Sequence, residues 1–282
     1  MIKSHLNLQL NKFNFRGIIM NILSKGFVLT LFATMLTLPS FAEDAKIKGL
    51  EIAKATKTKD AGWGDSQTEL EMTLRNQHGQ TSVRKMRLKS MEQQNDGDKS
   101  LTVFDSPRDV KGTAFLSFSH PQANDDQWLY LPALKKVKRI SSRNKSGSFM
   151  GSEFSFEDLT SFEVEKYDYN YLRDETIDDE LSWVVEQFPL DKNSGYKRRI
   201  VWIDQSEHRV RKTDFYDRKN TLLKTLTFSN YQQYINKHWR AKKMEMINHQ
   251  SGKSTILTYT DFEINKGLDE KDFNKNALKR AR

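Results

Sequence analysis

Apolar and polar residues alternate with a period of two along most of the chain after residue 66. Leu70, Met72 and Leu74 alternate with charged and polar side chains, and a turn near Gly79 leads into a returning segment with the same alternation. This pattern predicts an antiparallel hairpin with one buried and one solvated face. Similar segments, separated by polar turns, recur as far as residue 262, and we count ten to eleven antiparallel strands.

Helical spacing of apolar residues is confined to three places. Residues 45–59 predict a first helix, residues 155–162 a short helix, and residues 269–278 a final short helix or strand anchored by Phe273. Ten or more strands in meander order must curl or close, and the few helices would then cover the open side. The predicted fold class is therefore mainly β, with one curled antiparallel sheet that encloses an apolar groove.

The first 42 residues differ in composition from the rest of the 282-residue chain. They contain four lysines or arginines and no acidic residue, although the whole chain carries a net charge of +9. Residues 26–38 are apolar but shorter than the ~20 residues that a membrane-spanning helix needs, and Pro39 follows them. We predict a signal peptide cleaved after Ala42, with an uncleaved anchor as the alternative and either Met1 or Met20 as the start. Residues 43–282 are then a single domain.

The stretch from residue 125 to residue 159 has an unusual composition. A short apolar strand, residues 128–131, ends at Pro132, which cannot donate a hydrogen bond to a sheet. A basic run and a polar loop come next. Large apolar side chains then stand among Gly and Ser residues, which is typical of an adaptable apolar surface; they are Phe149, Met150, Phe154 and Phe156.

The same stretch resembles the signature of the periplasmic outer-membrane lipoprotein-sorting family, relatives of the carrier LolA that are often tied to RND-type exporters. The resemblance lies in residues 126–140, 145–152 and 156–159, with residues 105–113 upstream, and it extends over most of the chain from about Gly49. It implies an incomplete, half-open β-barrel with a helical lid and a hydrophobic cavity for acyl chains. It also implies a periplasmic location and an inner-membrane RND-type transporter as a partner.

Two sets of residues are candidates for binding. The first set would line the apolar cavity, although the same side chains could equally be ordinary core; it comprises Leu116, Phe118, Trp128, Tyr130, Phe149, Met150, Phe154, Phe156, Leu159 and Trp183. The second set fits a solvated strand face, and its alternative role is contact with anionic lipid headgroups at a membrane surface or with an acidic protein partner; it comprises Lys135, Lys136, Lys138 and Arg139.

Catalytic and metal-binding motifs are not evident in the sequence. The chain has no cysteine, which excludes disulfides, thiolate catalysis and a lipid-anchored cysteine. The acids at residues 178–180 could bind calcium but fit a solvated loop better. We therefore expect no cofactor, no metal, no nucleic acid partner and no enzymatic activity.

Three hypotheses follow from the sequence. The leading one is a periplasmic carrier of lipoprotein acyl chains or other lipids. The second is a docking protein of a transporter complex that binds no ligand. The third is a hydrolase, which would need a nucleophile beside His120 or His238.

Overall fold

The computed structural model describes residues 41–280, and its main feature is one antiparallel sheet of thirteen strands. Two α-helices and several short 3-10 helices complete it. In chain order the elements are α1 (Phe41–Asp60), β1 (Asp65–Arg75), β2 (Thr81–Met91), β3 (Lys99–Ser106), β4 (Ala114–Phe118), β5 (Asp126–Leu131), β6 (Lys136–Ile140), β7 (Tyr167–Ile177), β8 (Glu180–Pro189), β9 (Tyr196–Asp204), β10 (Val210–Asp217), β11 (Leu222–Tyr234), β12 (His238–Asn248), β13 (Ser254–Ile264) and α2 (Lys275–Arg280).

The sheet is open, because β6 and β7 form its two edges. Each strand pairs with its neighbours in sequence, with one exception: β6 does not pair with β7. In addition, β1 pairs with β13, which joins the two halves of the sheet. The predicted mainly β, half-open architecture is confirmed. The predicted strand count of ten to eleven was too low, and the strands that the prediction omitted are the edge strands β6 and β7.

The first helix confirms the prediction for residues 45–59 and extends it to Phe41–Asp60. Glu43 and Asp44 lie in its first turn and Lys57 and Lys59 in its last, so the charges complement the helix dipole. The signal segment of residues 1–42 lies almost entirely outside the described residues, and its cleavage site stays a prediction. Within residues 41–280, no helix has both the length and the apolar character required to cross a membrane.

One face of the sheet is concave. Side chains from strands that are far apart in the sheet, such as Phe104 of β3, Met246 of β12 and Phe215 of β10, meet in a single buried cluster. The sheet is curved, because Ser155 and Phe156, adjacent in the chain, contact Tyr196 of β9 and Phe115 of β4, which are eight places apart in the strand order. The connection between the edge strands β6 and β7 crosses this face, and its Phe149 and Phe154 are part of the cluster.

Helix α1 covers a second part of the concave face, over β7 to β9. Ile52 and Ala53 pack there against Val185 and Val201. Val201 lies opposite Thr213 in the sheet, and Phe215 two residues further on points to the same side, so this cluster and the larger one share one face.

The convex face carries a third cluster over β3 to β5. Phe273 and Leu278 from the C-terminal segment (residues 268–280) pack there on Leu116 and Trp128. The predicted anchoring role of Phe273 is confirmed, since only 3% of this residue is exposed.

Candidate functional site

A hairpin inserted into the concave face is the candidate site. We call residues 145–159 the plug. Within it Phe149 N donates to Phe154 O at 2.7 Å, and Ser152 N donates to Phe149 O at 2.9 Å. The turn between them has φ values of 50° at Met150 and 78° at Gly151, as a type I′ turn requires. Glycine suits such a position, whereas methionine is rarely found there.

The apolar side chains of the plug fill the interior of the half-barrel. The Phe149 ring lies 5.8 Å from Phe104, 5.2 Å from Phe115 and 5.7 Å from Phe156, measured between ring centroids. Phe149 and Phe154 are both almost completely buried. The plug therefore fills the space inside the curved sheet with its own side chains.

A buried ion pair fastens the base of the plug to the sheet. Lys224 Nζ of β11 lies 2.6 Å from Asp158 Oδ2 and donates to Glu153 O at 2.8 Å. The Tyr196 hydroxyl donates to Asp158 Oδ1 at 2.8 Å. Burial, with the nearby Asp158 and Glu157 carboxylates, raises the pKa of Tyr196 well above its usual range. This polar group is enclosed, because the two charged side chains are only 5% and 4% exposed.

Glu157 makes a second polar attachment at the base. Its Oε1 accepts a hydrogen bond from Gly195 N at 2.8 Å, and its Oε2 lies 3.8 Å from Lys145 Nζ. Burial, and next the neighbouring Asp158 carboxylate, raise the pKa of Glu157 above its ordinary value. This carboxyl group is therefore protonated more readily than a solvated one.

Further contacts of the plug are made along its tip. Arg84 Nη1 of β2 donates to the Met150 carbonyl, Glu153 N donates to Thr255 Oγ1 at 3.0 Å, and Asn248 Nδ2 donates to Glu153 Oε2 at 2.6 Å. All of these contacts join the plug to the rest of the molecule through side chains and not through a strand ladder. The plug is thus attached to the sheet but is not one of its strands.

Beside the plug, part of the concave face is only half-buried. Leu88, Phe228, Met244 and Tyr259 pack against the core cluster but keep some exposure. Burial raises the pKa of the Tyr259 hydroxyl to about 12. These side chains extend the apolar surface of the plug site toward solvent.

A cleft of about 530 Å³ lies elsewhere, on the convex face between the C-terminal segment and strands β1, β2 and β13. Its lining is largely charged and includes Glu69, Arg87, Lys89 and Asp272. Such a lining does not suit an acyl chain, because charged groups would lose hydration against hydrocarbon.

The structure divides the ten predicted cavity residues between the two faces of the sheet. Five lie in or beside the plug cluster and Trp183 lies under α1, whereas four are on the convex face with the C-terminal segment: Leu116, Phe118, Trp128 and Tyr130. The prediction of one shared cavity wall is therefore corrected for these four. Successive strand residues point to opposite faces, so Phe115 and Leu129 face the plug instead.

The four predicted contact residues lie at one edge of the sheet. Lys136, Lys138 and Arg139 belong to the exposed edge strand β6, and Lys135 directly precedes it. Arg139 forms an ion pair with Asp126. Their contact with headgroups or a protein partner stays a prediction.

Comparison with known structures places the chain in a family. A candidate outer membrane lipoprotein-sorting protein domain from Vibrio parahaemolyticus is 60% identical and superimposes with a TM-score of 0.82, over 83% of this chain and 100% of that one. The chain belongs to the outer-membrane lipoprotein-sorting family. This result confirms the resemblance that the central stretch indicated.

Other comparisons agree with this placement. A DUF1329 family protein from Desulfovibrio piger is 30% identical with a TM-score of 0.79, over 83% of this chain and 99% of that one. A LolA superfamily protein from Nitrosomonas europaea, at 22% identity, a TM-score of 0.65 and coverages of 81% and 98%, shows the shared fold. A family model described only as "Uncharacterized protein" matches residues 96–280. No curated protein matches the chain.

Proposed function

We propose that this protein is a periplasmic carrier that holds acyl chains of lipoproteins or other lipids on its concave apolar face. One observation carries the proposal: the apolar interior of the half-barrel is covered by a short hairpin that is not part of the sheet. In the loaded state the plug is displaced and the acyl chain packs where Phe149 and Phe154 now lie. The predicted signal peptide supports the periplasmic location, and the proposed function includes no catalytic step.

The free energies of burying an acyl chain and of exposing the plug can be compared. Burying one CH₂ group contributes about 0.8 kcal/mol, so an acyl chain of some 14 carbons contributes roughly 10 kcal/mol. Exposing Phe149 and Phe154 costs about 1.5–3 kcal/mol each by the same scale. The half-buried Met150, Phe156 and Leu159 of the plug add to this cost, so an acyl chain and the plug bury apolar area of the same order.

A second candidate function is a docking protein that binds no lipid and serves a transporter complex. The observation that favours it is that the plug fills the interior, so the half-barrel of this structure has the packed core of a rigid scaffold. Under either function we place the inner-membrane RND-type transporter, or a membrane surface, at the basic edge formed by Lys135, Lys136, Lys138 and Arg139.

A disulfide across the plug separates the two functions. The 3.0 Å contact between Glu153 N and Thr255 Oγ1 limits the separation of the two Cα atoms to about 7 Å, near the upper end of disulfide geometry. The chain has no other cysteine, so a Glu153→Cys/Thr255→Cys variant can form only this bond within one molecule.

The measurement is mass spectrometry of lipids extracted from purified protein, together with binding of a fluorescent fatty acid. The carrier function predicts lipid in the wild-type protein, no binding by the oxidised double variant, and recovery after reduction. The two single-cysteine variants control for the substitutions. Wild-type protein that is free of lipid and does not bind the probe would support the docking function, and equal binding by the oxidised variant would exclude displacement of the plug.

A further inference from the structure

We propose that the acyl ligand carries a negative charge, which replaces the Asp158 carboxylate on Lys224. This inference rests on the proposed carrier function and specifies its ligand: an anionic amphiphile with a carboxylate or phosphate group, in preference to a neutral ester.

Lys224 is an unusual residue for its position. It lies on the concave face of β11, opposite Phe215 of β10, and two residues before the core residue Leu226. Its ammonium group is 5.3 Å from the centroid of the Tyr196 ring and 5.4 Å from that of Phe215. The ammonium group thus lies in an apolar wall, where a charge is stable only if it is paired.

Both hydrogen-bonding partners recorded for the Lys224 ammonium belong to the plug. They are the Asp158 carboxylate at 2.6 Å and the Glu153 carbonyl at 2.8 Å. Among the described residues, the only ion pair of Lys224 is the one with Asp158. The sheet itself therefore supplies the positive charge, and the plug supplies the negative one.

Displacing the plug removes both partners together. Ser155 N donates to Asp158 Oδ2 at 2.7 Å, and Ser155 pairs with Ser148 across the hairpin. The hairpin and Asp158 are therefore joined by hydrogen bonds, and the proposal has them leave the sheet together. An uncharged acyl chain in their place would leave the Lys224 ammonium buried without a counter-charge, which strongly disfavours that complex. A ligand carboxylate or phosphate would restore the pair.

The test compares 16-carbon ligands that differ in the head group. Palmitate, methyl palmitate and palmitoyl lysophosphatidate each displace a fluorescent fatty acid from the wild-type protein at pH 8. We expect the two anions to bind at least tenfold more tightly than the ester. If palmitate is the tighter anion the site fits a free fatty acid, and if lysophosphatidate is tighter it fits a phospholipid head group.

Two variants assign this preference to Lys224. Lys224→Met/Asp158→Asn removes both charges of the pair and so avoids an unpaired buried charge; we expect its preference for anions to fall below about twofold while methyl palmitate still binds. Lys243→Met is the matched control, because Lys243 lies on the other face of β12 and pairs with Glu245. It should keep the wild-type preference.

The failures of the two proposals are distinguishable. Equal binding of ester and anions by the wild-type protein, or an unchanged preference in the double variant, would overturn the inference and leave the carrier function standing. A wild-type protein that binds none of the three ligands would overturn both proposals. Should the double variant not fold, Lys224→Arg takes its place: it retains the positive charge, so a lost preference with intact binding of the ester would count against the inference.

Discussion

The two faces of the sheet are covered in a similar way but by different chemistry. On the concave face the plug inserts Phe149 and Phe154, and on the convex face the C-terminal segment inserts Phe273 and Leu278. The charges differ in placement. The plug is held by the enclosed pair of Asp158 with Lys224, whereas the C-terminal segment makes exposed pairs such as that of Lys89 with Asp272, at 4.0 Å.

This difference indicates which of the two covers is better suited to displacement by a ligand. The convex cover combines apolar burial with ion pairs that stay exposed to solvent, and exposed pairs contribute little to stability. The plug adds a buried ion pair and a turn in which Met150 has a φ of 50°, a conformation that costs an L-residue about 1–2 kcal/mol. Under the proposed function, a ligand that replaces the ion pair and relieves the turn would compete with the plug, whereas the described part of the C-terminal segment has no enclosed ion pair to replace.

The first prediction uses the aromatic side chains of the two covers. Phe149→Ala and Phe273→Ala should each lower the free energy of unfolding by about 3–5 kcal/mol, because each removes a buried ring and leaves a cavity. Urea unfolding measures this loss. Only Phe149→Ala should also increase the binding of a fluorescent fatty acid, because it weakens the cover of the concave face. Equal gains in both variants would show that the two covers do not differ in function.

The second prediction uses the ion pairs. Asp158→Ala should lower the free energy of unfolding by about 3 kcal/mol, at the low end for a broken buried pair, because the plug can open and hydrate Lys224. Asp272→Ala, in the exposed pair with Lys89, should cost less than about 1 kcal/mol. Urea unfolding of both variants checks the contrast, and similar losses would mean that the plug pair is no more enclosed than the surface pair.

The strands that were predicted from the sequence are more regularly buried than the strands that were missed. The inner strands alternate clearly; in β1, Leu70 and Met72 are buried while Glu69 and Glu71 are exposed. The two strands that the predicted count left out, β6 and β7, are the sheet edges; for the basic run of β6 a solvated strand face was only one of two interpretations, and the strand is mostly exposed. Edge strands are commonly charged because charges discourage association with other chains, and the charges of β6 hide the hydrophobic pattern.

The composition of the plug could be recognised in the sequence, but its partners could not. Glycine and serine around Phe149 and Phe154 indicate an adaptable apolar segment. The alternation along β4 was predicted correctly, but it does not tell which of the two apolar faces is concave, so Leu116 and Trp128 were assigned to the cavity although they lie on the convex face. The sequence did indicate that Lys224 is unusual, because this lysine occupies a position of β11 where the alternation predicts a buried apolar residue. Its pairing with Asp158, 66 residues away, depends on the fold alone.

The third prediction compares the response of the two covers to pH. In the plug, burial raises the pKa of Glu157 above its ordinary 4.5. The folded state then binds this proton more tightly than the unfolded chain, so its contribution to stability is lost as the pH rises above about 4.5, by at most about 1.4 kcal/mol per pH unit. In the C-terminal segment, the hydrogen bond from Lys271 N lowers the pKa of Asp269 below 3.8, so its contribution is lost as the pH falls.

Urea unfolding between pH 3 and pH 7 distinguishes these two carboxyl groups. Glu157→Gln keeps an acceptor for Gly195 N but cannot ionise, so it should reduce the loss of stability above pH 4.5. Part of that loss should remain, because burial also raises the pKa values of Glu163 and Asp98. Asp269→Asn should change the free energy of unfolding only at the acidic end of this pH range. If Glu157→Gln instead steepened the loss above pH 4.5, the Glu157 carboxyl group would have to be ionised and stabilising in the folded protein, which would contradict the raised pKa.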